Sequence, residues 1–163
     1  MAGGWTTISR AQVAPPMTED HIARIRDNCV DAQSSLAQIH ASDALLRVNR
    51  GQLYESISTK LMAPLNSRIA LNKLDGGSLT TVTVAYESAL DKFRNDYQDY
   101  EQALSAALQI NCRNQPVAFF DSVRAARDDR TKVHDDITSL QGMIEKYRTT
   151  FEAFAAQALA VKK

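Results

Sequence analysis

Two cysteines, Cys29 and Cys112, are the residues in this chain whose chemistry is easiest to define. Two thiols either form one disulfide or stay reduced and pack as small apolar side chains. Both lie on or beside an apolar face of a predicted helix. If the two cysteines lie at the same height in antiparallel helices, the helix that runs from Cys112 back to Leu79 must match an equally long run that starts at Cys29. That run ends at Met62, close to the break predicted at Pro64. This agreement favours a disulfide between antiparallel helices, which indicates an oxidising compartment.

Three charged residues fall on faces that are otherwise apolar: Asp43 and Arg50 in the first predicted helix, and Arg130 in the third. The disulfide register brings Arg130 level with Asp43, so we predict a partly buried pair of these two, with Arg50 further along. Such a pair adds little stability because desolvation offsets the attraction, but it can fix helix register. A separation above about 6 Å would contradict the pairing.

The remaining motifs predict neither a catalytic, a cofactor-binding nor a metal site. The three histidines, His21, His40 and His134, lack the spacing of metal ligands. Gly76-Gly77 is not followed by the Lys-Ser/Thr pair of a phosphate-binding loop, and no nucleophile elbow is present. An enzyme would have to use the charged residues on the seams, which we expect to be structural. We therefore predict a non-enzymatic protein with no cofactor.

The first predicted helix positions Cys29 and Asp43. Residues 1–17 show no periodicity and are predicted to form a flexible N-terminal arm, in which Trp5 either packs loosely or anchors a partner. Thr18 is a suitable N-cap, and residues 18–163 are predicted to form one domain. Pro64 predicts a kink or stop near Leu61–Ala63, because proline removes a backbone donor. A short helical piece, Pro64–Leu74, follows.

Two further helices are separated by short turns. The turn Leu74–Ser78 contains paired glycines, expected to supply the positive φ angles of a helix terminator, and Ser78 is expected to cap the next helix, Leu79–Cys112. The turn Arg113–Pro116 leads into a third helix, Pro116–Val161. Apolar residues repeat at steps of three and four along the helices, in the third from Val133 onward. The first seam is Ile22, Ile25, Cys29, Ala32, Leu36, Ile39, Leu46, Leu53 and Ile57, with the charged residues Asp43 and Arg50 at two further seam positions. The second is Leu79, Val82, Tyr86, Ala89/Leu90, Phe93, Tyr97, Tyr100, Leu104, Ala107/Leu108 and Asn111/Cys112. The third includes Phe120, Val123, Val133, Ile137, Leu140, Ile144, Tyr147, Phe151, Phe154, Ala158 and Val161.

Short connections between long helices make neighbours antiparallel. The predicted fold is therefore all-α, an elongated, coiled-coil-like, up-down-up bundle of three helices, the first of them kinked or broken near Pro64. A four-helix arrangement is the alternative, if the chain reverses at Pro64 or Gly51.

The charge composition argues against nucleic-acid binding. The chain has 19 basic and 19 acidic residues, mixed in sequence, so no half is basic enough for a phosphate backbone. No apolar run approaches the ~20 residues that span a bilayer, and the first residues lack the pattern of a secretory signal. We expect no transmembrane segment in this chain, and a native signal or anchor trimmed from an end is consistent with that expectation.

Two surface features are candidates for partner binding. Leu45 and Val48 lie off the main seam and either widen the core contact or form an exposed apolar strip. Tyr97 and Tyr100, with Asp96 and Asp99 nearby, form either a binding patch or part of the seam with hydroxyls at its rim. The alternating charges of residues 121–136 are typical of a solvated helix face.

Two stretches carry a resemblance: Arg47–Gln52 through Lys60–Arg68, and Cys112 followed by Pro116–Phe120. They resemble segments of small helical-bundle proteins exported by reduced-genome bacteria. The resemblance covers most of residues 18–160. It implies an exported protein with an N-terminal signal or anchor, and it implies no assigned activity and no catalytic residue.

Two functions are compatible with these patterns. The first is an extracytoplasmic structural or interaction module that uses a helical face to bind a protein partner. The alternative is a helical module that holds a small ligand or lipid between separable helices, with Pro64 and Gly51 as hinges. An apolar internal cavity would favour the alternative, and a dry, filled core would count against it.

Overall fold

The computed structural model describes residues 17–160, and within that range the protein is entirely helical outside its turns. This confirms the predicted all-α class. The elements in chain order are α1 (Glu19–Asp27), α2 (Cys29–Ser56), a π-helix (Ile57–Met62), α3 (Ala63–Leu71), α4 (Gly77–Gln109) and α5 (Pro116–Ala160). Residues 1–16, which include Trp5 and nearly all of the predicted arm, and residues 161–163 lie outside the described residues.

The first predicted helix begins as expected but is interrupted earlier than predicted. The hydroxyl of Thr18 accepts a hydrogen bond from the backbone N–H of His21, so Thr18 is the N-cap of α1. Asn28, with φ −95° and ψ 13°, separates α1 from α2 immediately before Cys29. The sequence prediction of one helix from Thr18 to Met62 missed this break.

At Pro64 the chain changes helix type and does not stop. Ile57 and Ala63 both keep right-handed helical backbone angles, and the N–H of Ala63 bonds to the carbonyl of Ser58, five residues earlier. Pro64 has no N–H to offer the helix, and the wider π-turn before it accommodates this loss. The chain therefore does not reverse at Pro64, and Gly51 lies inside α2.

The chain reverses direction at residues 72–76, close to the predicted turn, but its backbone conformation differs from the predicted one. The positive φ angle, 56°, belongs to Lys73 and not to a glycine. The N–H of Leu74 bonds to the carbonyl of Ile69, and that of Lys73 to Ala70, which is the Schellman pattern. Gly76 is required for another reason: a Cβ there would lie 2.7 Å from Cγ2 of Ile69. Ser78 lies inside α4, whose N-cap is Gly76.

Contacts between distant residues define the direction of the helices. Cys29 is bonded to Cys112, Asp43 contacts Tyr100, and Asn66 contacts Thr83. Along this series the residue numbers rise in the run from α2 to α3 and fall from the turn after α4 back along α4. The run from α2 to α3 is therefore antiparallel to α4. Asp43 with Arg130 and Asn66 with Tyr147 show that α5 is parallel to the same run.

The core is built mainly from α4 and α5, which pack along most of their shared length. Tyr86, Leu104 and Leu140 are almost completely buried. The core cluster consists of Tyr54, Met62, Ile69, Leu79, Val82, Tyr86, Leu90, Phe93, Tyr97, Tyr100, Leu104, Ala126, Val133, Leu140 and Tyr147. Helix α2 packs on α4 but has no comparable packing on α5. This asymmetry opens the surface described next.

Candidate functional site

A disulfide joins Cys29, at the start of α2, to Cys112, in the turn after α4. The Cα atoms are 5.5 Å apart, which is the usual spacing for this bond. Both cysteines are buried, and they pack with Phe119 in a small apolar cluster of their own. The sequence prediction that these two cysteines pair is confirmed.

Asp43 is a buried carboxylate near the middle of α2. Its Oδ2 accepts hydrogen bonds from the hydroxyl of Tyr100 and from Nε of Arg130, each at 2.8 Å, and its Oδ1 accepts from Nη2 of Arg130 at 3.3 Å. Burial opposes ionisation of this carboxyl, but the hydrogen bonds from Arg130 and Tyr100 outweigh it and lower the pKa of Asp43. Burial and the hydrogen bond to Asp43 raise the pKa of Tyr100.

The structure brings Asp43 and Arg130 together and leaves Arg50 further along α2. Arg130 reaches Asp43 well within the 6 Å limit, although the arginine side chain itself is 56% exposed. Arg50 is exposed and does not contact Asp43. The two residues are two helical turns apart, roughly 10 Å along α2, and Asp43 is already bound by its two partners.

A groove of about 400 Å³ lies beside this contact, where α2 and α5 stand apart over α4. Its floor is formed by the aromatic side chains of α4, and its walls by one face of α2 and one face of α5. The lining residues are Asp43, Leu46, Arg47, Arg50, Phe93, Tyr97, Tyr100, Arg127, Arg130, Thr131, Val133, His134 and Ile137. Leu46 is 49% exposed, although it occupies a position on the predicted seam.

Four arginines lie around the groove, and two of them are already engaged. Arg47 lies 3.4 Å from Glu101 and 4.9 Å from the centroid of the Tyr97 ring, so it packs flat against the floor. Arg130 is held by Asp43. Within residues 17–160, neither Arg50 nor Arg127 forms an ion pair with a carboxylate. The groove therefore combines an aromatic floor with an excess of positive charge.

A second charged cluster lies at the interface of α4 and α5. Nζ of Lys92 is 2.6 Å from a carboxylate oxygen of Asp96 and 2.6 Å from one of Asp136. Burial raises the pKa of Asp136, and the proximity of Asp96 adds to this effect. The hydrogen bond from Lys92 lowers the pKa of Asp96. One ammonium group thus serves two carboxylates at a packed interface.

Tyr97 and Tyr100 are buried, whereas Leu45 and Val48 are exposed. The two tyrosines are buried on the α4 seam, so they do not form an exposed patch with Asp96 and Asp99. Leu45 and Val48 are 69% and 54% exposed and do not widen the core contact.

The histidines lie apart from one another. His134 lines the groove, His40 lies 3.7 Å from Glu101, and His21 is near the start of α1. Among the described residues, no three histidine, cysteine or acidic side chains converge as a metal site would require.

Sequence reasoning missed the groove and the Lys92 cluster. One signal for the groove was present: Arg47 and Arg50, and Arg127 and Arg130, are each spaced three apart, which puts both members on one helix face. The charge pattern predicts a solvated face for Arg127 and the pair with Asp43 for Arg130. In the Lys92 cluster, the i,i+4 spacing of Lys92 and Asp96 was visible, but the position of Asp136 was not, because it depends on the relative rotation of two helices.

No protein-family model, curated protein or solved structure matches this chain. Between residues 17 and 160, none of the helices has the length and apolar character needed to cross a membrane.

Proposed function

We propose that this protein is a non-enzymatic binding module that holds a small ligand in the groove between α2 and α5. The observation that carries the proposal is the groove itself: about 400 Å³, with Phe93, Tyr97 and Tyr100 beneath it. Small-molecule sites are typically concave, of roughly 300–1,000 Å³, and mostly apolar with a few polar groups. The groove is open to solvent, so it is a surface cleft and not the internal apolar cavity that would favour the ligand-binding alternative predicted from the sequence.

The packing around the groove supports a preformed site. Its floor belongs to α4, whose seam is buried against α5, so the aromatic rings do not have to move to receive a ligand. Tyr97 and Tyr100 pack edge to face, 5.9 Å between ring centroids, which fixes their orientation. Asp43 ties α2 to both neighbours and closes one end of the groove. Preorganisation of this kind lowers the entropy cost of binding.

We further propose that the protein works outside the cytoplasm. The Cys29–Cys112 disulfide is consistent with an oxidising compartment, because structural disulfides are rare in a reducing cytosol. The suggested resemblance to exported bacterial helical proteins points the same way. Intact mass under non-reducing conditions, before and after alkylation of the denatured protein isolated from its host, tests this. A mass two daltons low with no alkylation is expected, and two freely alkylated thiols would contradict it.

The architecture proposed for this function is an elongated bundle of three helical runs. The run from α1 to α3, then α4, then α5 would be its members, in up-down-up order. The antiparallel and parallel contacts described above support this arrangement. The Asp43–Arg130 contact would set its register, as polar seam residues do in coiled coils.

Binding of an uncharged fluorophore, N-phenyl-1-naphthylamine, tests the groove. We expect saturable one-to-one binding by the wild-type protein and its loss in Leu46→Trp, where the larger side chain fills the groove. The matched control is Leu45→Trp, because Leu45 is the next residue along α2 but does not line the groove. Circular dichroism and urea unfolding verify that both variants fold.

Two outcomes would contradict the proposal. One is the absence of saturable binding by the wild-type protein. The other is an equal loss of binding in Leu45→Trp and Leu46→Trp, since that would locate the fluorophore elsewhere.

Binding of a protein partner is the second candidate function. It is favoured by Leu45 and Val48, which lie three residues apart on one exposed face of α2. This strip is smaller than the groove and does not form a concave site, so we propose the groove as the main binding site. If the strip binds a partner, the double variant Leu45→Asp/Val48→Asp should keep its fluorophore affinity but lose the interaction.

A further inference from the structure

We propose that the groove selects an amphipathic organic anion, with its apolar body on the aromatic floor and its acidic group bound by Arg50. The proposal rests on the proposed function of the groove and adds the charge and orientation of the ligand. The chemical class is a compact aromatic or acyl body that carries one carboxylate, sulfonate or phosphate.

Most of the charged side chains around the groove are positive. Its lining contains four arginines, at positions 47, 50, 127 and 130, but only one carboxylate, that of Asp43. Asp43 is fully engaged by Arg130 and Tyr100, and Arg47 is neutralised by Glu101. Two positive charges remain uncompensated at the groove. An anion gains from this field, whereas a cation would be repelled.

Arg50 lies beside apolar residues of the groove. The antiparallel register of α2 and α4 puts Arg50 at the level of Phe93, and the parallel register of α5 puts it at the level of Ile137. Both neighbours are apolar. The next acidic residue along α2 is Glu55, and Arg94 of α4 already binds it. Arg50 is therefore a cation at an apolar end of the groove.

At the opposite end of the groove, Asp43 and Arg130 form an ion pair with no net charge, and both oxygens of Asp43 already accept hydrogen bonds. Arg127 also lines the groove, but it precedes Ile137 by ten residues, about 15 Å along α5, and so lies far from the apolar end. The Tyr97 ring is covered by Arg47. An amphipathic anion is accordingly oriented with its acidic group toward Arg50 and its apolar body over Phe93.

A pair of fluorophores that share one skeleton tests the proposal. 8-Anilinonaphthalene-1-sulfonate is N-phenyl-1-naphthylamine with a sulfonate added. We expect the wild-type protein to bind the sulfonate about tenfold more tightly, which corresponds to one charge-assisted contact. In Arg50→Gln this preference should disappear while the affinity for the neutral fluorophore stays unchanged. Arg68→Gln, an exposed arginine of α3 that does not line the groove, removes the same charge and should have no effect.

The outcomes separate this proposal from the one it rests on. Equal affinity for the two fluorophores would overturn the anion preference and leave the groove as a site. A preference that falls equally in Arg50→Gln and Arg68→Gln would overturn the role of Arg50. If neither fluorophore binds, the proposed function itself fails.

Displacement of the bound sulfonate identifies the source of the anion. Free acids and anionic lipid head groups share the same chemistry, but a groove of this size favours a single free acid. We expect dodecanoate to displace the fluorophore and dodecanol to displace it at least about tenfold less well. Displacement by phosphatidylglycerol vesicles, and not by dodecanoate, would overturn the assignment to a free acid.

Discussion

Helices α2 and α4 carry apolar seams with the same spacing, yet only one of the two seams is buried. Every predicted seam position of α4 from Leu79 to Ala107 has a buried residue. In α2 the buried residues are Cys29, Asp43 and Tyr54, while Leu46 and Leu53 are about half exposed. The reason is position: α4 packs on both α2 and α5, whereas α2 packs mainly on α4. Apolar periodicity identifies a face that can be buried, and the neighbours decide whether it is.

The same difference appears in the charges. Beside the packed interface of α4 and α5, Lys92 contacts two carboxylates. At the open side between α2 and α5, Arg50 has no acidic partner within residues 17–160. The better-packed interface therefore pairs its charges, whereas the open side leaves Arg50 unpaired within that range.

Removal of the disulfide should cause the largest loss of stability. Helix α2 packs mainly on one other helix, so it depends on the bond more than α4 does. Cys29→Ser/Cys112→Ser should lower the free energy of unfolding by about 4 kcal/mol, since the bond closes a loop with a sequence separation of 83. Urea denaturation measures this. Reduced wild-type protein is the control and should match the variant. A loss below about 1 kcal/mol would show that α2 is held without the bond.

A pair of leucine truncations compares the two sides directly. Leu140→Ala, in the buried seam of α5, should cost about 3 kcal/mol, because it leaves a cavity that cannot collapse. Leu46→Ala, in the groove wall, should cost less than about 1 kcal/mol, since half of its side chain already contacts water. Similar losses in urea denaturation would contradict the openness of the groove.

Replacement of the buried carboxylate should have an intermediate effect. Asp43→Asn keeps the shape of the side chain but loses the charge that Arg130 and Tyr100 contact. We expect a loss of about 1–3 kcal/mol from these charge-assisted hydrogen bonds. Ser42→Ala is the control, because Ser42 is exposed and its hydroxyl lies at 3.5 Å from Asp43, at the limit of a hydrogen bond.

The smallest effect is a difference in pH dependence between the two charged regions. The pKa of Asp43 is lowered in the folded state, so its contribution to stability is complete above its ordinary value of 3.8 and is lost as the pH falls through the folded value. The pKa of Asp136 is raised, so its contribution falls as the pH rises from 3.8 through the folded value. Asp43→Asn and Asp136→Asn should therefore change the slope of stability against pH in opposite directions. Urea denaturation between pH 3 and pH 7 measures this, and slopes that change in the same direction would contradict the assignment.

Part of the candidate site was accessible from the sequence. The pairing of Cys29 with Cys112 followed from equal helix lengths on either side of a turn, and the proximity of Asp43 and Arg130 followed from the same register. The register also predicted Arg50 one or two turns beyond Asp43, and both residues line the groove. The exposure of Arg50 could not be predicted, because it depends on how far α2 is separated from α5.

The sequence by itself determined the all-α class, the second turn, the start of α5 at Pro116 and the face that each helix offers for burial, because these depend on local propensity and periodicity. Only the tertiary structure decided that Pro64 is absorbed by a π-turn, that Lys73 and not a glycine takes the positive φ angle, and that α2 leaves part of its seam uncovered. The first two are local backbone arrangements that residue propensity does not specify, whereas the third depends on contacts between residues far apart in the chain. Helix packing, and not helix formation, opens the groove on which the proposed function depends.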